Sequence, residues 1–350
     1  MEYENLTDDE EFRELVLQDA FPRVPRQFKE RPNHFTKWRN EEFLLRFRLS
    51  KLVVRYVIDK IALQITPNTN RSCALSAEEK VFNTLYFLAT GTFLRVVGDT
   101  GGQDKSTISR SIAEVLHHLA NLRPEYVAMP ENQEEIEQVR QEFFNISRFP
   151  RCVGAIDCTH VKIRPSSGGI DERYRNRKGF FSFNVQVVSD AKCLIRDIVC
   201  RWHGAAHDAT IFANSRIRAR MENREFGEES VLVGDSGYGI RNNLITPLRK
   251  LRNHMRTFGI WKKRFPVLAF GIRLHLRTVE PLIVATSVLH NIACQMRDAV
   301  PPINHEMEVA INLTENVNRN RNIRENNVNN ENNRSRYNLV NNYFQNLVQN

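Results

Sequence analysis

At 350 residues, with 41% apolar and 26% charged side chains, the chain can build one large domain or two smaller ones around a real core. No apolar run approaches the roughly 18–20 residues of a bilayer span, and the acidic start Met1–Glu11 lacks the order of a secretory signal. Six cysteines without a CxxC pair argue against a disulfide framework and a zinc finger. The expectation is a reduced intracellular protein, with no membrane.

The net charge of +9 is unevenly spread. Residues 1–30 balance at −5, residues 31–150 at +2 and residues 301–350 at zero, whereas residues 151–300 carry 25 Lys/Arg against 13 Asp/Glu. A basic excess confined to one segment suggests a polyanionic partner such as nucleic acid, or else a solvated basic surface.

In chain order, residues 1–35 are acidic and punctuated by Pro22, Pro25 and Pro32, and read as a mobile leader. Residues 36–147 read as helical. Ser76 with Glu79 forms a capping box that opens a periodic run over Glu78–Ala89, and Gly91 is a suitable stop. A short helical stretch, Phe93–Val97, and the turn signal Gly101-Gly102 precede a second helix from about Lys105. Ile108, Ile112, Val115 and Leu119 form its apolar stripe. Lys105, Ser106, Thr107 and Arg110 then stand on its first turns, where a helix-turn-helix would contact DNA. An ordinary helical bundle has the same pattern.

From residue 151 the texture becomes strand-like: Cys152–Ile156, Phe183–Val188 and Cys193–Trp202. A helix over about Ala209–Glu222, a strand Ser230–Val233, a basic connection and a long helix Arg277–Met296 follow. Residues 148–300 thus form a second region. Beyond Pro301 asparagine takes 17 of positions 304–350, and residues 301–350 read as a disordered tail.

Three aspartates punctuate the strand-rich region. Asp157 ends the run Val153–Ile156, Asp208 lies at a strand-to-helix junction, and Asp235 ends Val231–Gly234. Gly154, Gly204, Gly234 and Gly237 beside them would let backbone or substrate approach closely. Carboxylates at strand ends can hold Mg²⁺ or Mn²⁺ for phosphodiester chemistry, though each alone would equally cap a helix or close a turn. His203 and His207 are four apart, but the Gly-Ala-Ala between them argues against a helical zinc site.

These residues resemble a family. Val153–Val161, Tyr174–Gly179, Phe183–Gln186, His207-Asp208, Val233–Tyr238, Thr246-Pro247, Phe258–Phe265 and Leu289–Asn291 look like the catalytic core of Harbinger transposase-derived nucleases, which are DDE superfamily endonucleases. Phe87–Gly91 and Ser106–Arg110 extend the resemblance to the helical region, so it covers about residues 40–297. It implies an α/β, RNase H-like mixed sheet with flanking helices behind the helix-turn-helix-like region, and the strand order read above agrees. It also implies a divalent-metal-dependent nuclease (Mg²⁺ or Mn²⁺) cleaving DNA, with Asp157, Asp208 and Asp235 as catalytic metal ligands. Arg175, Arg177 and Lys178, and the cluster Lys262–Arg264, would serve the phosphates. Residence in nucleus and cytoplasm, with a Myb/SANT-like protein partner, follows from the same resemblance.

One position departs. The family pattern carries a glutamate three residues before Phe258-Gly259, where this chain has Met255 or a gap; Pro247–Phe258 contains no carboxylate and is shorter than usual. Glu280 lies outside the motif. The alternatives are a decayed or mis-assembled transposase copy, or a domesticated DNA-binding or adaptor protein without its chemistry.

Overall fold

The computed structural model describes residues 31–68, 74–164, 171–235, 238, 243–245 and 252–319. Most of the acidic leader, residues 1–30, lies outside the described residues. From Arg31 the chain is folded, and Phe35 is already buried against Phe43 and Phe82.

The N-terminal region contains α1 (His34–Lys37), α2 (Asn40–Phe47), α3 (Lys51–Ile65) and α4 (Ala77–Thr90). The capping box at α4 is reciprocal. Ser76 Oγ accepts from Glu79 N at 3.2 Å, and the Glu79 carboxylate accepts from Ser76 N at 2.7 Å. Gly91 closes the helix at φ +61°, the left-handed conformation suited to glycine. Then α5 (Leu94–Gly101) runs a turn beyond the sequence expectation, and Asp104 caps α6 (Lys105–Asn121) by accepting from Ser106 N at 2.7 Å. The stripe Ile108, Ile112, Val115, Leu119 is fully buried. Lys105, Ser106 and Arg110 are exposed and Thr107 half-buried. The apolar stripe sets this rotation. Two further helices, α7 (Arg123–Tyr126) and α8 (Gln133–Ser147), lead into the sheet.

The second region runs β1 (Cys152–Lys162), β2 (Ser182–Ser189), β3 (Ile195–His203), α9 (Asp208–Ala213), α10 (Arg216–Glu222), β4 (Val231–Gly234), β5 (Leu244–Ile245), α11 (Arg252–Arg264), α12 (Val267–Phe270), α13 (Leu276–Gln295) and α14 (His305–Arg319). The described strands form one sheet in the order β3-β2-β1-β4-β5. The pairs β1–β2 and β2–β3 are antiparallel; β1–β4 and β4–β5 are parallel. This is an RNase H-like mixed sheet flanked by helices, preceded by a helical region. Among the described residues no helix is long and apolar enough to cross a membrane, and Cys152, Cys158, Cys193, Cys200 and Cys294 are free thiols.

Alternation along β1 sorts its side chains onto two faces. Asp157, Thr159 and Val161 are opposed by Val187, Val185 and Phe183; these apolar residues share a core with Phe258, Trp261 and Phe265 of α11 and with α13. That core also takes in α3, α4 and α6, so buried residues from both sides of residue 148 are continuous. Ile156 and Cys158 point the other way and pack with α9, α10 and Tyr238.

Several expectations need correction. The strand at Cys152 continues to Lys162, so Asp157 lies inside it rather than at its end. The helix expected over Ala209–Glu222 is two helices, broken at Asn214-Ser215. The supposed basic connection contains α11. The tail expected to be disordered from 301 begins with α14, whose Ile311 is buried; residues 320–350 lie outside the described residues.

Candidate active site

The register of the sheet places two of the three aspartates. Ile156 on β1 pairs in parallel with Gly234 on β4. Asp157 and Asp235 each follow directly, on neighbouring strands. Asp157 is buried and Asp235 half-buried. One Asp157 oxygen accepts from the Cys158 amide at 2.7 Å.

Asp208 approaches from the opposite face. It is the first residue of α9 and is buried. Its Oδ1 accepts from Asn184 Nδ2 at 2.9 Å, and the same nitrogen donates to the Ala206 carbonyl at 2.9 Å. Asn184 sits on β2 opposite His160 of β1, on the side of Cys158. The thiol of Cys158 meets the Tyr238 hydroxyl at 3.2 Å.

Electrostatics tie these groups together. Burial first, then the charges of Asp235 and Asp208, push the Asp157 carboxyl well above its ordinary range; the Cys158 amide and Lys262 oppose that shift. Burial likewise raises the Tyr238 phenol, helped by Cys158, Asp208 and Asp157. A buried carboxylate beside two others is the situation that a divalent cation relieves, and hard oxygen donors select Mg²⁺ or Mn²⁺. The donor chemistry therefore fits a divalent ion. The arrangement is open, however. Among the described residues no three His, Cys, Asp or Glu side chains are grouped to hold one ion, as two faces of approach would lead one to expect.

The basic residues divide. Arg173 and Arg175 are exposed and paired with Asp171 and Glu172 at 2.7 and 2.6 Å. Arg177 instead places Nη2 2.9 Å from Nδ1 of His207, the residue before Asp208, and Lys178 is exposed beside it. The expectation that Lys262–Arg264 faces phosphates is overturned for Lys262 and Arg264, while Lys263 is half-buried. Lys262 is 0% and Arg264 1% exposed. Arg264 bonds the Asp298 carboxylate at 3.3 Å and the carbonyls of Asp298 and Ala299, while Arg48 bonds those of Lys263, Pro301 and Pro302. These cations tie the C-terminal segment down.

The glycines beside the aspartates also serve the fold. A Cβ at Gly154 would lie 2.5 Å from Val188 Cγ1, and one at Gly204 2.5 Å from the Tyr174 carbonyl; Gly234 is closed in by Tyr238, Ile156 and Leu244. Gly237 lies outside the described residues.

Comparison with known proteins follows this geometry. DDE superfamily endonucleases match over residues 156–256, a span holding all three aspartates and ending one residue past Met255. The protein named "Putative nuclease HARBI1" is 26% identical over 275 residues in both Rattus norvegicus and Homo sapiens, covering 73% of this chain and 78% of the relative. "Protein ALP1-like" of Arabidopsis thaliana is 25% identical over 219 residues, covering 57% of this chain and 53% of its own length. Residues 156–256 thus resemble DDE superfamily endonucleases, and the wider chain is similar to Harbinger-type nucleases. No solved structure matches.

The departure at position 255 is now located. Met255 lies on α11, and Arg252–Arg264 contains no carboxylate. Lys262, seven residues on from Met255, donates from Nζ to Thr159 Oγ1 at 2.7 Å. Reading the sequence did not single out Asn184 or Tyr238, and it assigned Lys262 to the phosphates rather than to the sheet. For Lys262 the signal was the helical spacing of Phe258, Trp261 and Phe265: four residues after Phe258, it falls on the same buried face.

Proposed function

We propose that this chain is a divalent-cation-dependent nuclease acting on DNA phosphodiester bonds, with Asp157 and Asp235 as the principal ligands and Asp208 supporting them from the other face. The observation that carries this reading is Asp157, held on β1 beside Asp235 at the end of β4, whose carboxyl burial first and then the charges of Asp235 and Asp208 drive up. A divalent ion held there supplies Lewis-acid stabilisation of the oxygens that exchange at phosphorus. The chain's own residues do the rest. Asn184 orients Asp208, β1 and β4 hold Asp157 and Asp235 in register, and Arg177, Lys178 and His207 line the adjacent rim where the DNA backbone would run. Lys105, Ser106, Thr107 and Arg110 offer a second contact on α6. A Myb/SANT-like partner and residence in nucleus and cytoplasm belong to the same proposal, on the strength of the family resemblance.

Purified protein incubated with duplex DNA and Mn²⁺ tests this, beside an Asp157→Asn control. Cleavage lost in the control supports the reading; equal background from both rejects it.

The carboxylate-free helix α11 favours a second reading, a DNA-binding or adaptor protein that has lost turnover. Specific duplex binding with no cleavage in Mn²⁺ would select it.

A further inference from the structure

Lys262 is the least expected charge in the protein. It has no solvent exposure, yet it lies on a helix whose neighbouring apolar residues pack against the same sheet face as Asp157. Burying an ammonium is costly unless nearby groups compensate it. Compensation is visible. Nζ donates to Thr159 Oγ1 at 2.7 Å, and Thr159 stands two residues after Asp157, on the same face of β1. The Lys262 charge in turn acts on the Asp157 carboxyl.

Helix α11 adds the second observation. The family pattern carries a glutamate at the position of Met255, whereas Lys262 lies within Phe258–Phe265, a stretch that resembles the family. Between Arg252 and Arg264 nothing acidic offsets it.

We propose that Lys262 is a fixed counter-charge to Asp157 that competes with divalent cations at the carboxylate centre. The proposal rests on the reading of Asp157 and Asp235 as metal ligands. A buried positive charge held at Thr159, two residues along the same face from Asp157, repels an incoming dication and is screened less by salt than a surface charge. Lys262 is thus a positioning residue, acting through Asp157. It sets the metal affinity of the centre, and it keeps the fold stable without metal.

Isothermal titration of the full chain with Mn²⁺ is the test, comparing wild type, Lys262→Met and Lys262→Arg. Lys262→Met should bind Mn²⁺ at least tenfold more tightly, and Lys262→Arg, which keeps the charge, should stay within about threefold of wild type. Circular dichroism melts identify variants that fail to fold; should Lys262→Met be one, Lys262→Gln takes its place with the same expected tightening. Unchanged or weaker Mn²⁺ binding by a folded neutral variant overturns the proposal. Wild-type binding that Asp157→Asn leaves intact removes the metal-ligand reading itself, a separate result, and this proposal falls with it.

Discussion

Asn184 Nδ2 reaches Asp208 Oδ1 and the Ala206 carbonyl, both at 2.9 Å, so one side chain of a central strand fixes both the aspartate and the turn that delivers it. Asn184→Leu keeps roughly the volume and removes the donor. A buried carboxylate then loses one hydrogen-bond partner, at a cost of about 1–3 kcal/mol. Urea denaturation should show that loss, and Mn²⁺-dependent cleavage should fall with it. A variant of unchanged stability would mean that other groups hold Asp208.

The raised Asp157 carboxyl has a defined consequence for pH. Its folded pKa lies above the ordinary value of 3.8, so the unfolded chain releases this proton more readily than the folded one. Asp157 therefore costs no stability at pH well below 3.8, and its penalty grows as pH rises from there toward its folded pKa. In EDTA, Asp157→Asn should be more stable than wild type at pH 7.5, with the advantage shrinking toward pH 4. Denaturation midpoints at the two pH values check this. An Asn variant less stable at pH 7.5 contradicts it.

Much of the helical region was legible because its signals are local. Ser76 and Glu79 mark the start of α4 by spacing alone, and the stripe from Ile108 to Leu119 fixes how α6 turns. The strand positions at Cys152, Phe183 and Val231 could likewise be read from short apolar runs. The misses share a different cause. Cys158, Thr159 and His160 are buried despite their polar or hydrogen-bonding side chains, so the sequence reads as strand only as far as Ile156. In α11 the run Lys262-Lys263-Arg264 follows directly on Trp261, and charges read as surface. Only tertiary structure shows that Arg264 meets Asp298 and that Lys262 meets Thr159. The division of the aspartates between two faces needs the strand register, which no single run contains.

The buried ion pair offers a stability test of the corrected Lys262–Arg264 reading. Arg264 and Asp298 are 1% and 5% exposed at their side chains. Removing one partner of such a pair leaves a charge stranded, typically at about 3–5 kcal/mol. Asp298→Ala should therefore destabilise the fold by about that much in urea, while the salt slope of DNA binding stays unchanged below the transition. A shift in that slope would return Arg264 to the DNA-contacting surface.

For α6, each Lys or Arg that neutralises a phosphate contributes about −0.9 to the slope of log affinity against log salt on duplex DNA. Lys105 and Arg110 are both exposed. Lys105→Ala with Arg110→Ala should weaken binding and flatten the slope by up to roughly two. Unchanged affinity and slope would assign the helix to packing alone.

Gly204 links the fold to the rim of the site, and its substitution should separate packing from chemistry. A Cβ there would stand 2.5 Å from both the Tyr174 carbonyl and Ser182 Oγ, and 2.8 Å from the Ser182 carbonyl. Two of these are backbone atoms, which cannot rotate away. The crowding falls where the Ala205 amide donates to the Arg173 carbonyl at 3.0 Å, holding the segment that carries Arg177 against the turn that carries His207 and Asp208. Gly204→Ala must then push that segment outward, breaking the Arg177–His207 contact while Asp157 and Asp235 keep their strand register. The expected outcome is weaker binding of duplex DNA in EDTA, with Mn²⁺ affinity by calorimetry within about threefold of wild type. Overpacking of this kind costs about 1–3 kcal/mol, so the melt should shift without loss of cooperativity. Unaltered DNA affinity in a folded Gly204→Ala protein would show that the Arg177 rim does not carry the backbone, and the DNA path would then lie elsewhere on the sheet.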